Sequence, residues 1–214
     1  MRAGNRYRRQ RVIRHVIIGA NSLLPGAVVW FLFLRRDLIS RVSIASAYSA
    51  LLLTVTALLL GPWNVLRRKA NPISFDLRRD VGIWAGTMAV LHTVIGLNVH
   101  LRGRPWLYFV DQHGKLRGDL FGFSNYTGAI AALWFLLLLA ISNDLSLRRL
   151  GTQRWKSLQR WTYAAAALTF IHGVAYQHIE KRYLAFEAVV WATMVVVCTV
   201  QIVGFLTLRR KADV

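Results

Sequence analysis

Among its 214 residues the chain has one cysteine, four prolines and nine acidic side chains, and only 17% of its residues are charged. A single Cys198 excludes a disulfide scaffold, a cysteine-ligated iron–sulfur cluster and haem attached through C-x-x-C-H. The scarcity of charge excludes an ordinary soluble enzyme, since soluble domains carry about 25% charged residues and about 45–50% apolar ones. Here 55% of residues are hydrophobic. With 28 lysines and arginines against nine acids, the formal charge is +19. Nucleic-acid binding would need those cations on one face of a soluble fold. They lie instead in short segments between apolar runs, where their simplest role is to orient a membrane protein.

Six apolar segments of bilayer-spanning length stand out, at about 15–34, 42–66, 80–101, 124–142, 160–179 and 184–208. In hydrocarbon each backbone amide must be paired within its own segment, so these are helices unless they close into a barrel. Barrel strands alternate polar and apolar residues, and runs such as Leu133 to Ala140 do not. The fold expected is an all-α integral membrane bundle of six transmembrane helices in a single domain, 1–214. If the N-terminus is cytoplasmic, the inner segments hold 19 of the 28 lysines and arginines. That bias puts both termini in the cytoplasm. Arg8-Arg9 and Ala45-Ser46-Ala47 resemble parts of an export signal. The apolar stretch between them is too long, and Arg35, Arg36 and Arg41 intervene, so it reads as a retained first helix. The segment 102–123, with Gly103, Pro105, Gly114 and Gly118 as turn formers and the run Trp106 to Phe109, is expected to be an ordered external cap.

Buried polar groups are costly inside a membrane and usually functional. Of six histidines, His15 and His113 fall at an interface or in a loop, and both read as solvated. His92 and His172 each lie 12 residues into spans that run in the same direction, which places both about 18 Å from the cytoplasmic face. Two imidazoles at one depth on two helices suit the axial positions of one haem iron, and a bis-histidine site leaves no open coordination position. On a helical wheel Ala85, Ala89 and Gly96 surround His92, Gly82 and Gly86 add a G-x-x-x-G spacing, and Ala165 and Ala175 flank His172. His100 and His178 share a second depth nearer the outer face, where a second metal, haem propionates, substrate or water are all open to them.

These residues, with L-H-T-V around His92, the stretch from Ser142 to Gly151, R-W-K-S-L-Q-R-W-T-Y from Arg154 to Tyr163 and Ile171-His172, resemble the ferric-reductase-like transmembrane family. The resemblance implies a six-helix bundle with His92 and His172 as haem ligands. It implies electrons arriving from a quinol of the quinone pool or from a cytoplasmic flavin reductase, and leaving for a periplasmic reductase. It also implies residence in the bacterial cytoplasmic membrane. Relatives carry further inner histidines at the positions of Gln159 and Arg78, so one haem b is expected here, in the outer half of the membrane. A bound FMN or quinone would bridge the inner half.

No G-x-G-x-x-G follows a strand and no phosphate loop is present, so electrons are expected from another molecule. The inner segment 143–160, with Arg148, Arg149, Arg154 and Lys156, either docks a flavin or an acidic reductase or simply obeys the positive-inside bias. No H-E-x-x-H, nucleophile elbow or paired intramembrane carboxylate occurs. The expected role is a haem-binding electron-transfer subunit. The alternatives are a stand-alone ferric or metal reductase, and a haem-free transporter of metals or small solutes using His100, His113 and His178.

Overall fold

A computed structural model describes residues 2–34, 36–67, 75–101, 103–180 and 184–212. The described residues form seven α-helices: α1 (Arg2–Leu32), α2 (Leu38–Leu66), α3 (Phe75–Gly96), α4 (Leu120–Ile141), α5 (Asp144–Gln159), α6 (Thr162–Glu180) and α7 (Leu184–Ala212). Among them there is no strand, only an isolated bridge between Val110 and Leu116. Four helices are long and apolar enough to cross a membrane: Tyr7–Leu32, Leu38–Leu66, Leu120–Ile141 and Leu184–Arg210. The other two expected spans, α3 and α6, are 22 and 19 residues long and carry the polar side chains of the interior. That polar content lowers their apolarity.

Local chemistry sets the helix starts. Asp37, Asp119 and Asn143 each occupy an N-cap in extended conformation and accept a backbone N–H from the third residue on, at 3.0, 2.8 and 2.8 Å. The end of α3 differs from expectation. The sequence places it near 101, but the helix stops at Gly96. There the Tyr108 hydroxyl donates to the Gly96 carbonyl at 2.9 Å and accepts the His100 N–H at 2.9 Å. Tyr108 is fully buried in a short 3-10 turn, Pro105–Tyr108, which ties this connection to the end of α3.

A second difference is α5, which lies inside a segment read as a loop. Its cations hide it from a hydropathy scan, but Trp155 is buried and donates from Nε1 to the Ile141 carbonyl at 2.8 Å. Gly151, at φ +72°, takes up the kink that lets both halves of α5 follow the bundle end.

Large apolar side chains cover the outer faces of α1 and α7, as lipid-facing helices require. Inside, Val29, Ile44, Tyr48, Leu58, Phe170 and Val197 tie α1, α2, α6 and α7 together. Met88, Phe135 and Ala165 join α3, α4 and α6. Glycines set the closest approaches: a Cβ at Gly19 would lie 2.5 Å from the Trp84 ring, and one at Gly86 would lie 2.7 Å from Leu139. Ion pairs mark the two ends of the bundle. At the end holding the N-terminus, Asp80 is fully buried between Arg14 Nε (2.7 Å), Arg11 Nη2 (3.3 Å) and His15 Nε2 (3.3 Å). His15 is therefore a half-buried partner of Asp80 and not a solvated residue. At the opposite end Arg36 and His100 both meet Glu180, at 2.8 and 3.1 Å.

Candidate functional site

His92 lies four residues before the end of α3, and His172 lies mid-way along α6. Because α3 starts earlier than the sequence suggested, their positions counted from helix starts differ, yet the two side chains meet. Their ring centroids are 6.1 Å apart with planes at 66°. Each ring is held in the same way by the antiparallel neighbour of its helix. His92 Nδ1 lies 2.9 Å from the Ser43 carbonyl on α2, and His172 Nδ1 lies 2.8 Å from the Ser124 carbonyl on α4. A carbonyl only accepts, so each Nδ1 donates, and in a neutral ring with that tautomer the lone pair is on Nε2. The two serine hydroxyls also sit 3.4 Å from these nitrogens. Such a carbonyl clamp is the usual outer support of a metal-ligating histidine.

A cavity of about 350 Å³ separates α2, α3, α4 and α6, and both histidines line it. That volume is within the range of cofactor sites, about 300–1,000 Å³. Small side chains form much of its wall, including Ala47, Ala89, Gly96, Gly128 and Ala132. Of the small residues singled out by the wheel, Ala89 and Gly96 face the cavity. Ala85, Ala165 and Ala175 are buried in helix packing, and a Cβ at Gly82 would meet nothing within 4 Å. At Gly128 a Cβ would lie 2.6 Å from His172 Nδ1, so glycine is what lets that ring seat against α4. Two buried polar atoms on the cavity wall, Thr54 Oγ1 and Gln177 Oε1, have no hydrogen-bond partner among the described residues.

The residues present fit an iron held between two imidazoles. With metal–nitrogen bonds of about 2 Å, two rings sharing one ion have centroids about 6.3 Å apart. The observed 6.1 Å matches that separation. Among the described residues no group of three His, Cys, Asp or Glu side chains could hold a bare ion. A prosthetic group that brings its own ligands to the iron would need only these two imidazoles from the protein.

The remaining histidines are dispersed. His100, just beyond α3, lines the rim of the cavity, stacks on Tyr176 at 6.3 Å and pairs with Glu180. The sequence places it inside the span 80–101, but α3 ends at Gly96 and leaves it beyond the helix. His178 is exposed and lies 3.6 Å from Glu187, and His113 sits on an exposed turn whose N–H is accepted by Asp111. Towards the N-terminal end, Gln159 Nε2 donates to Ser142 Oγ at 3.2 Å and Arg78 Nε donates to the Ala57 carbonyl at 3.1 Å. Trp134 and Trp161 stack nearby at 4.7 Å. Outside the spans, burial pushes the Tyr108 phenol above its usual value, against the hydrogen bond it accepts from the His100 amide. Arg117 holds the Asp119 carboxyl below the usual carboxylate range.

Sequence reading missed Ser43, Ser124 and Gly128. The serines act chiefly through main-chain carbonyls, which no side chain advertises. Their only signal was a serine inside an apolar run, 49 residues before His92 and 48 before His172.

The family described as ferric reductase like transmembrane component matches residues 39–170, from α2 into α6. The chain belongs to that family. With four helices of spanning length it is a multi-pass membrane protein. It is 35% identical over 97 residues to the protein-methionine-sulfoxide reductase heme-binding subunit MsrQ of Deinococcus radiodurans, covering 45% of this chain and 44% of that protein. It is 34% identical over 139 residues to the protein of the same name from Azospira oryzae, covering 64% of this chain and 52% of that one. The chain thus spans about half the length of the curated relatives it matches. No solved structure matches it.

Proposed function

We propose that the chain is a haem-binding electron-transfer subunit in which His92 and His172 would hold the haem iron. The observation that carries this reading is the pair of rings 6.1 Å apart, each fixed through Nδ1 to a carbonyl of the neighbouring helix. Bound there, one haem b supplies a one-electron carrier without an open coordination position. The protein's part is orientation. The Ser43 and Ser124 carbonyls would hold each ring through Nδ1 and leave Nε2 for the iron, while Gly128 and Gly96 keep space beside the rings.

In this reading α1, α2, α3, α4, α6 and α7 of one domain, 1–214, cross the bacterial inner membrane with both termini in the cytoplasm. Electrons enter from a quinol or a cytoplasmic flavin reductase and leave for an external acceptor. A methionine-sulfoxide reductase is the acceptor favoured by the names of the relatives, each the heme-binding subunit of a protein-methionine-sulfoxide reductase, and this reading puts it on the periplasmic side. The positions of Gln159 and Arg78, occupied by hydrogen-bonded side chains, favour one haem over two. His100 belongs to the rim of this site, and His178 lies outside it.

The test is an oxidised-minus-reduced absorption spectrum of the purified full chain with pyridine-haemochrome quantification. The expected result is one haem per chain, lost or spectrally altered in both H92A and H172A. A colourless wild-type protein, or bands unchanged by both replacements, overturns the reading.

A further inference from the structure

The connection between α4 and α6 presents an unusual surface. Arg148, Arg149, Arg154, Lys156 and Arg160 are all exposed on α5 and its C-cap. The one acid of the segment, Asp144, is already engaged by Arg79 at 2.7 Å and by Arg11 at 3.7 Å. Asp144 also feels the charge of Arg148, and beyond that the exposed cations have no further acid in their own segment. The same element exposes large apolar side chains: Leu145 (50%), Leu158 (39%) and, on the turn that follows, Trp161 (48%), with Tyr163 (44%) beyond it.

This surface is not a loose loop. The Trp155 indole donates to the last carbonyl of α4, Gln159 holds Ser142, and the Asp144–Arg79 pair joins the start of α5 to α3. Cations and apolar groups are thus presented at a fixed height, at the end of two helices that run into the apolar layer.

We propose that α5 is a docking surface for anionic phospholipid headgroups. The phosphodiester oxygens take charge-assisted hydrogen bonds from Arg148, Arg149, Arg154, Lys156 and Arg160, while Leu145, Leu158, Trp161 and Tyr163 enter the acyl boundary. An acidic protein would satisfy the cations but leave those apolar side chains without hydrocarbon, which is why lipid is the better occupant. Each cation near an anionic bilayer surface contributes about 1 kcal/mol, which is about fivefold in partition.

The experiment uses the full chain in nanodiscs of phosphatidylcholine with a minor fraction of phosphatidylglycerol. The lipids retained after mild detergent extraction are counted by native mass spectrometry. The wild type is expected to retain phosphatidylglycerol preferentially, and less of it at high salt. R148Q/R149Q and R154Q/K156Q, made separately so that a folding failure of one leaves the other, should each lower that preference by an order of magnitude. A control, R67Q/R209Q/R210Q, removes exposed cations from the same end of the bundle but not from α5, and should leave the preference intact. Equal loss in the control reduces the effect to total charge and overturns the proposal. So does a wild type without preference, or an α5 dependence seen only with an added acidic protein.

Discussion

Replacing Gly128 by alanine is the most discriminating change available in the cavity. The new methyl carbon would lie 2.6 Å from His172 Nδ1, 2.7 Å from Cε1 and 3.3 Å from Cγ. Carbon needs about 3.5 Å from such neighbours, so the ring must retreat by close to 1 Å. It is not free to do so. Nδ1 is held 2.8 Å from the Ser124 carbonyl, and the ring packs against Tyr176 at a centroid distance of 4.9 Å. Either the hydrogen bond stretches, which costs about 1–3 kcal/mol for a buried partner, or α4 and α6 move apart at a similar overpacking cost. Loss of outer support to a ligating histidine lowers affinity by about 10–100-fold, and that is the expected drop in haem affinity for G128A. Titration of haemin into the haem-depleted full chain, followed at the Soret band, measures it. Gly82→Ala is the matched control: its Cβ meets nothing within 4 Å, and alanine favours the helix by about 1 kcal/mol. If G128A binds haemin as tightly as wild type with an identical spectrum, the seating of His172 against α4 is not what holds the group.

Three further outcomes follow from the ends of the bundle. Asp80→Asn leaves Arg11, Arg14 and His15 clustered around a neutral group and should lower stability by about 3 kcal/mol, read as a lower unfolding temperature in detergent; an unchanged transition refutes a buried ion cluster. Tyr108→Phe strips the hydroxyl that serves both the Gly96 carbonyl and the His100 amide, so hydrogen exchange at His100 should accelerate by at least tenfold, about 1.4 kcal/mol of protection. The Asp144 carboxyl is held below the usual carboxylate range by its hydrogen bond from Arg79. The contribution is therefore present above the ordinary carboxylate pKa and lost as pH falls through the depressed value. Because that side chain is 63% exposed, the effect stays within about 1 kcal/mol, and D144N should abolish that part of the acid sensitivity.

The all-helical fold and the closeness of the His92 and His172 rings were legible in the sequence for the same reason. Long apolar runs force helices, and a histidine inside one is expensive enough to need a purpose. Features set by contacts distant in sequence were not legible. The end of α3 at Gly96 depends on Tyr108, twelve residues on, which no helix-stop signal near 96 announces. The segment 144–159 is rich in arginine and reads as a loop until Trp155 is seen buried against α4. His15 looked solvated because Asp80 was counted at a helix end, whereas α3 begins at Phe75 and carries Asp80 inward. The carbonyl clamps from Ser43 and Ser124 are main-chain interactions and leave no trace in side-chain identity.

The central claim is that His92 and His172 share one iron. Near-infrared magnetic circular dichroism of the oxidised full chain tests it most directly, because the position of the low-spin charge-transfer band reports the nature of both axial ligands. The account predicts a bis-imidazole band in the wild type and its disappearance in H92A and in H172A alike. A band from any other ligand pair, or a bis-imidazole band that survives either replacement, contradicts it.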